Sequence, residues 1–187
     1  GALYRAVTLY AMENGMISAN GDIDVPALVS KLPELDIHFE YTPEGSHTYI
    51  GDRCVDSLIR TIEVSSHVSP ISVLPEVRNF VDRKLVEYGK NKRIVMDGRD
   101  IGTSVFPNAD LKIFMTADDN VRAERRLKEM QASGKAPDFE AVLKNLKERD
   151  YIDSHRETSP LRKADDAIVL DNSNMTMDDQ MVWIRGL

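Results

Sequence analysis

A single cysteine, Cys54, is all the thiol chemistry in this chain of 187 residues. It cannot form an internal disulfide and no metal-ligand spacing surrounds it, which sets aside disulfide scaffolds and zinc fingers and suits a reducing cytoplasm. Aromatic residues are scarce at 6%, and Gly and Pro number only 10 and 8, so collagen-like and low-complexity classes are excluded. No apolar run approaches the roughly 18 to 20 residues of a membrane span, and no basic segment followed by an apolar one opens the chain. Positive charge is also in deficit: 24 Lys and Arg face 31 Asp and Glu, for a net charge of −7. That balance argues against a nucleic-acid polymer as partner, because phosphate backbones select basic faces. What remains is a chain with 42% hydrophobic residues, enough to bury a core as one domain with a small insert. Its length and low aromatic content favour a monomer.

Absent motifs narrow the chemistry further. G-x-S-x-G, H-E-x-x-H and C-x-x-C do not occur, and His38, His47, His67 and His155 show no zinc-like spacing. The positive residues, by contrast, are biased toward Arg, 14 against 10 Lys, the side chain whose planar fork binds carboxylates and phosphates in pairs. The chain begins Gly1-Ala2-Leu3-Tyr4-Arg5 with a helical pattern already under way, and the expectation is that the gene product extends upstream.

Ala2, Leu3, Ala6, Val7 and Tyr10 recur at helical spacing, predicting a helix over 2–13 stopped by Asn14-Gly15. A second short helix is predicted at 25–33. The period then changes to two through Ile37-His38-Phe39-Glu40-Tyr41, and a Pro-Glu-Gly turn leads to Thr48-Tyr49-Ile50, predicting a hairpin. Helix returns from about 55 to 89, broken at Pro70 and Pro75, with Val77, Phe80, Val81 and Leu85 as its apolar stripe. Beyond it, three short apolar runs at 93–98, 110–116 and 165–171 alternate with helical segments and predict a buried parallel sheet. Thr116 with Asp119 is the expected cap of one intervening helix, and Pro137-Asp138 opens the next. Residues 132–137 between them are hinge-like in composition.

Ligands collect at the carboxyl ends of parallel strands, which directs attention to Asp97-Gly98-Arg99-Asp100. A plain turn with surface charges would have the same composition. Arg149, Asp153 and Arg156 fall at i, i+4 and i+7 on one helical face, as either a binding array or an ion-pair ladder. Arg122, Arg125 and Arg126 share a side of the preceding helix, where Glu129 offers Arg125 an ordinary partner. With Arg5 and Arg78, these groups suggest a small-molecule polyphosphate site, since phosphoryl transfer asks for positive charge and few nucleophiles.

GALYRAVT (residues 1–8), VMDGRDIGTSVFPNADLKIFMTA (95–117) and KERDYIDSHRETSPLRKADDAIVLDNSNM (147–175) closely resemble the bacterial-type cytidylate kinase family, enzymes that phosphorylate CMP and dCMP from ATP. The resemblance runs over essentially the whole chain. It implies an α/β P-loop kinase fold with a parallel sheet core, a small antiparallel β insert for the monophosphate and a helical lid. The core is then residues 1–34, 63–126 and 151–187, the insert 35–62 and the lid 127–150. One departure is plain: no G-x-x-x-x-G-K-[ST] loop lies in the 187 residues, and in the family it precedes GALYR. Rival readings are another small-molecule P-loop kinase, of the UMP/CMP or shikimate type, and a non-catalytic CMP-binding remnant.

The resemblance also distributes roles. Asp100, Arg78 and Ser66 are placed around the cytosine, whose N4 donates and whose N3 and O2 accept. Arg5, Arg99 and Arg156 go to the acceptor phosphate, and Arg149 and Asp153 to the sugar hydroxyls. Asp97 is expected to orient water on Mg²⁺. Arg122, Arg125 and Arg126 are expected to close on the ATP phosphates with the lid, and no dedicated general base is expected.

Overall fold

Helix α1 (Ala2–Glu13) is the spine of the first half of the chain, because Leu3, Ala6, Val7, Leu9 and Ala11 recur on the side that faces the core and are all buried. Gly15, at φ +68°, ends it in a conformation that glycine adopts without strain. The structure is a computed structural model describing residues 1–90, 93–132, 134 and 138–187. It divides into two compact units, Gly1–Gly98 and Arg99–Leu187.

In the first unit, α2 (Val25–Lys31) starts where Asp24 accepts the Ala27 N–H at 3.0 Å, and it runs into a 3₁₀ turn at Leu32–Glu34. Strands β1 (Ile37–Thr42), β2 (Gly45–Ile50) and β3 (Arg53–Cys54) form an antiparallel sheet in that order. The first two are the expected hairpin. The third, two residues long, is too short to register as a period. Helices α3 (Ile62–Ser72) and α4 (Pro75–Gly89) follow, the latter with Pro75 in its first turn and Val77, Phe80 and Val81 buried as expected. Two expectations need correcting here. Residues 55–61 precede the helix, whose cap is Thr61, and Pro70 lies inside α3 rather than breaking it. One turn from the helix end, the missing Pro N–H costs a single late bond.

Asp56, just past β3, ties the sheet together: its carboxylate accepts the Thr48 N–H at 3.0 Å and lies 2.9 Å from His47 Nδ1. Burial pushes the Asp56 carboxyl up, but the bonds from Thr48 and His47 outweigh it and hold the group below its ordinary value. A carboxylate lowered in the folded state stabilises above the unfolded pKa, near pH 4, and that contribution is lost as pH falls through the folded value. Asp56→Asn is therefore expected to lower the thermal midpoint at pH 7 and to narrow the gap from wild type near pH 2, as melts at the two pH values would show.

In the second unit, β4 (Ile113–Thr116) and β5 (Ile168–Asp171) pair in parallel, Ile113 opposite Ile168 and Thr116 opposite Asp171. Between them α5 (Asp119–Ala132) packs on α6 (Phe139–His155), and α7 (Met177–Arg185) ends the chain behind a Thr176–Asp179 capping box. The cap of α5 is Asp118, whose Oδ1 accepts the Asn120 N–H at 2.8 Å; Thr116 instead finishes β4. Asp138 caps α6 as expected. Of the hinge-like segment, 133 and 135–137 lie outside the described residues, and Pro137 with them.

The run at 93–98 forms no strand. Val95 is wholly exposed and Asp97 lies in a segment without regular secondary structure. An apolar run signals a preference for burial, but a strand also needs a neighbour for its N–H and C=O groups, and no ladder among the described residues reaches this one.

Candidate active site

Asp100 opens a single π turn, Ile101–Val105, in which Ser104 N–H reaches the Asp100 carbonyl at 2.9 Å and Phe106 N–H reaches that of Ile101 at 2.7 Å. Such one-turn expansions recur at functional sites. Here the turn buries Asp100 to 8% exposure. Gly102 sits where a Cβ would come within 3.3 Å of Lys112 Cδ. Lys112, at the entry to β4, donates to the Pro107 carbonyl and to both Asp166 oxygens at 2.8 Å, so its side chain clamps the turn to the segment entering β5. Lys112→Met is expected to lower the thermal midpoint by several degrees, read by differential scanning calorimetry, because the carbonyl loses a charged donor while the stem stays filled.

Arg156 is the residue that closes α6, its N–H bonding to the Ile152 carbonyl at 3.0 Å. The shared helical face expected for Arg149, Asp153 and Arg156 is corrected accordingly: the first two lie within α6, and the third leaves it with extended backbone. The turn brings its guanidinium back, so that Nη1 is 3.5 Å from Asp153 Oδ1 and Nη2 is 3.7 Å from Asp100 Oδ1. Nε and Nη2 also donate to the Ser159 carbonyl at 2.9 and 2.6 Å. Ser159 presents that carbonyl from φ +49°, a sparsely allowed conformation for a residue other than glycine.

Asp153 is shared, because its other oxygen accepts from Arg99 Nε. The result is a line of alternating charge, Asp100–Arg156–Asp153–Arg99, running from buried to open: the side chains of Arg156 and Asp100 are each 10% exposed and that of Arg99 is 42% exposed. Arg99 is held through Nε and is the most exposed member of the line. Arg149 joins this end. Desolvation first, and then repulsion from Arg99 and Arg126, hold its guanidinium below the usual arginine value. Guanidiniums that repel one another are relieved by an anion, and their forks suit phosphate oxygens.

On α5 the three candidate arginines are engaged. Arg122 reaches Asp150 at 2.6 Å and Asp119 at 3.4 Å, and the Asp150 bond raises it above the ordinary arginine range. Arg125 donates to the Asn172 side chain at 2.9 Å and to its backbone carbonyl at 2.8 Å, tying α5 to the end of β5. Glu129 pairs with Arg126 at 3.0 Å, which corrects the partner expected for Arg125. Asp150, Asn172 and Lys112 are the residues that sequence reasoning missed. Asn172 carried one signal, its position directly after a parallel strand.

In the first unit, Arg5 Nη1 donates to Ser65 Oγ at 2.8 Å and to the Ile59 carbonyl at 3.1 Å. Neighbouring Ser66 is exposed and bonds back to Glu63 within α3 at 2.7 Å. Arg78 is 2% exposed, donates to the Ser72 carbonyl at 3.1 Å and lies 5.6 Å from the centre of the Tyr4 ring, so a solvated helix face is excluded. Asp97 is exposed.

Comparison with known proteins bears on this arrangement. The cytidylate kinase family model matches residues 1–184. The chain is 52% identical over 187 residues to the cytidylate kinase of Bacteroides thetaiotaomicron, with 98% of this chain and 81% of that relative covered. It is 51% identical over 189 residues to that of Bacteroides fragilis (strain YCH46), with 100% and 82% covered. With the cytidylate kinase of Flavobacterium johnsoniae the identity is 49% over 189 residues, again with 100% and 82% covered.

Proposed function

The chain belongs to the cytidylate kinase family, and from that membership we infer that it transfers the terminal phosphoryl group of ATP to CMP and dCMP, yielding the diphosphates. The observation that carries this reading is the line Asp100–Arg156–Asp153–Arg99, which combines a buried carboxylate able to accept from an amino group with guanidiniums able to hold a phosphate. Asp100, with Arg78 and Ser66, reads cytosine. Arg5, Arg99 and Arg156 hold the acceptor phosphate, and Arg149 and Asp153 reach the sugar. The insert is 35–62 and the lid 127–150.

Arg122, Arg125 and Arg126 serve the donor phosphates. Their present bonds to Asp150, Asn172 and Glu129 give each a fixed starting position from which phosphate oxygens compete. For Mg²⁺ the candidate donor is the exposed carboxylate of Asp97, which fits an ion that keeps most of its waters and takes its other ligands from substrate phosphates. When bound, that ion offsets charge on the transferring phosphoryl group. Transfer needs no base from the protein, so the work of these residues is placement and charge. The protein acts as a monomer in the cytoplasm. Among the described residues, no helix is long and apolar enough to cross a membrane.

A second reading is CMP binding without phosphoryl transfer. ADP release by the protein expressed from its complete reading frame separates the two. The kinase reading predicts release that depends on CMP and is weak with UMP, and CMP binding with no ADP release would favour the second.

A further inference from the structure

We propose that the outer face of the antiparallel sheet binds one divalent ion of the zinc class through His47, Cys54 and Asp56. The three residues lie in the insert assigned to the monophosphate, but none of them carries a role in the kinase reading, and the site does not depend on it. Sequence spacing gave no sign of it, because sheet register creates it. Side chains alternate along β2, so His47 and Tyr49 share a face while the buried Thr48 points to the core side. Antiparallel pairing then sets Cys54 opposite Tyr49, on the same face as His47. Asp56, two residues on, is held there by the Thr48 N–H on one oxygen and meets His47 Nδ1 with the other at 2.9 Å. One ligand atom from each of the three residues lies within 4.8 Å of the other two.

Tetrahedral zinc ligands stand roughly 3.5 Å apart, so the three need only a small contraction, which the exposed Cys54 side chain can supply by rotation. A thiolate, an imidazole and one carboxylate form a donor set for zinc, cobalt or nickel; magnesium and calcium demand oxygen ligands. Three protein ligands leave a fourth position for water. On binding, the Cys54 thiol proton passes to solvent, and neutral His47 carries its one ring proton on Nε2, beside Thr42 Oγ1, which leaves Nδ1 for the metal; no electron changes hands. The ion would staple β3, which is held to β2 by only two residue pairs, Tyr49 with Cys54 and Ile50 with Arg53.

Cys54 is the one cysteine in these 187 residues, and its alkylation by iodoacetamide in the full-length, untagged protein, read by mass spectrometry on the peptide that carries it, reports on the site alone. With Zn²⁺ equimolar to protein, alkylation is expected to slow by about tenfold or more, since a metal-bound thiolate is withdrawn from reaction. Mg²⁺ should have no effect, and His47→Gln should abolish the protection. Co²⁺ should give a thiolate charge-transfer band that Cys54→Ala, a change at an exposed position, removes without altering the circular dichroism. An alkylation rate unchanged by Zn²⁺, protection by Mg²⁺ as strong as by Zn²⁺, protection that survives His47→Gln, or a cobalt spectrum without a thiolate band would each overturn the proposal.

Discussion

Arg156→Ala is expected to lower kcat/KM for CMP by on the order of 10³-fold, the scale set by other arginines that stabilise phosphoryl transfer. The structure adds a second consequence. Arg156 lies between two largely buried carboxylates, Asp100 and Asp153, and is anchored on the Ser159 carbonyl, so its removal withdraws positive charge from beside both. The thermal midpoint should fall as well, and the assay belongs well below it. Arg156→Lys separates the two effects. It restores positive charge between the carboxylates and with it most of the stability, but a compact ammonium cannot hold the Ser159 carbonyl and a phosphate at once, so most of the rate loss should remain. A near-wild-type rate in both variants would make the line of charges an ion-pair ladder and nothing more.

Asp100→Asn is expected to erode discrimination between CMP and UMP by on the order of 100-fold, out of the roughly 10⁴-fold that a tightly built polar site can provide. A carboxylate can only accept. It suits the amino group of cytosine and repels the carbonyl of uracil, whereas an amide can turn to offer either partner. Because Asp100 also faces Arg156 at 3.7 Å, the substitution will disturb phosphate binding too, but that effect is common to both nucleotides and cancels in the ratio of their kcat/KM values. An unchanged ratio would assign Asp100 to holding Arg156 and place base recognition elsewhere.

How much of this was legible in the sequence depended on the range of the interaction. Features carried by local period were read correctly: α1 from Ala2, Leu3, Ala6 and Val7, the β1–β2 hairpin from its alternation, and the apolar stripe of α4. Short-range capping was read less well. Asp118 rather than Thr116 caps α5, because either side chain can accept there and strand pairing through the Thr116 carbonyl decides where β4 stops. The run at 93–98 failed for a different reason, as its composition reports apolarity and says nothing of whether a partner strand exists.

The site was legible as a set of residue types but not as a set of pairs. Arg99 meets Asp153 across 54 positions and Arg125 meets Asn172 across 47, distances over which no helical or strand period carries information. Where spacing did suggest a pair, Arg125 with Glu129, the neighbouring Arg126 took it. The π turn at Ile101–Val105 was equally silent, since no local period in Ile-Gly-Thr-Ser-Val distinguishes it from an α turn.

The most direct measurement of the central claim follows the phosphorus atom itself. The protein expressed from its complete reading frame is incubated with ATP labelled at the γ-phosphorus, Mg²⁺ and an equimolar mixture of CMP and UMP, and the products are separated. Label is expected in CDP, with little in UDP and little as free phosphate, and the CDP label is expected to be lost in Arg156→Ala. Label released only as inorganic phosphate, or distributed equally between CDP and UDP, would contradict that claim.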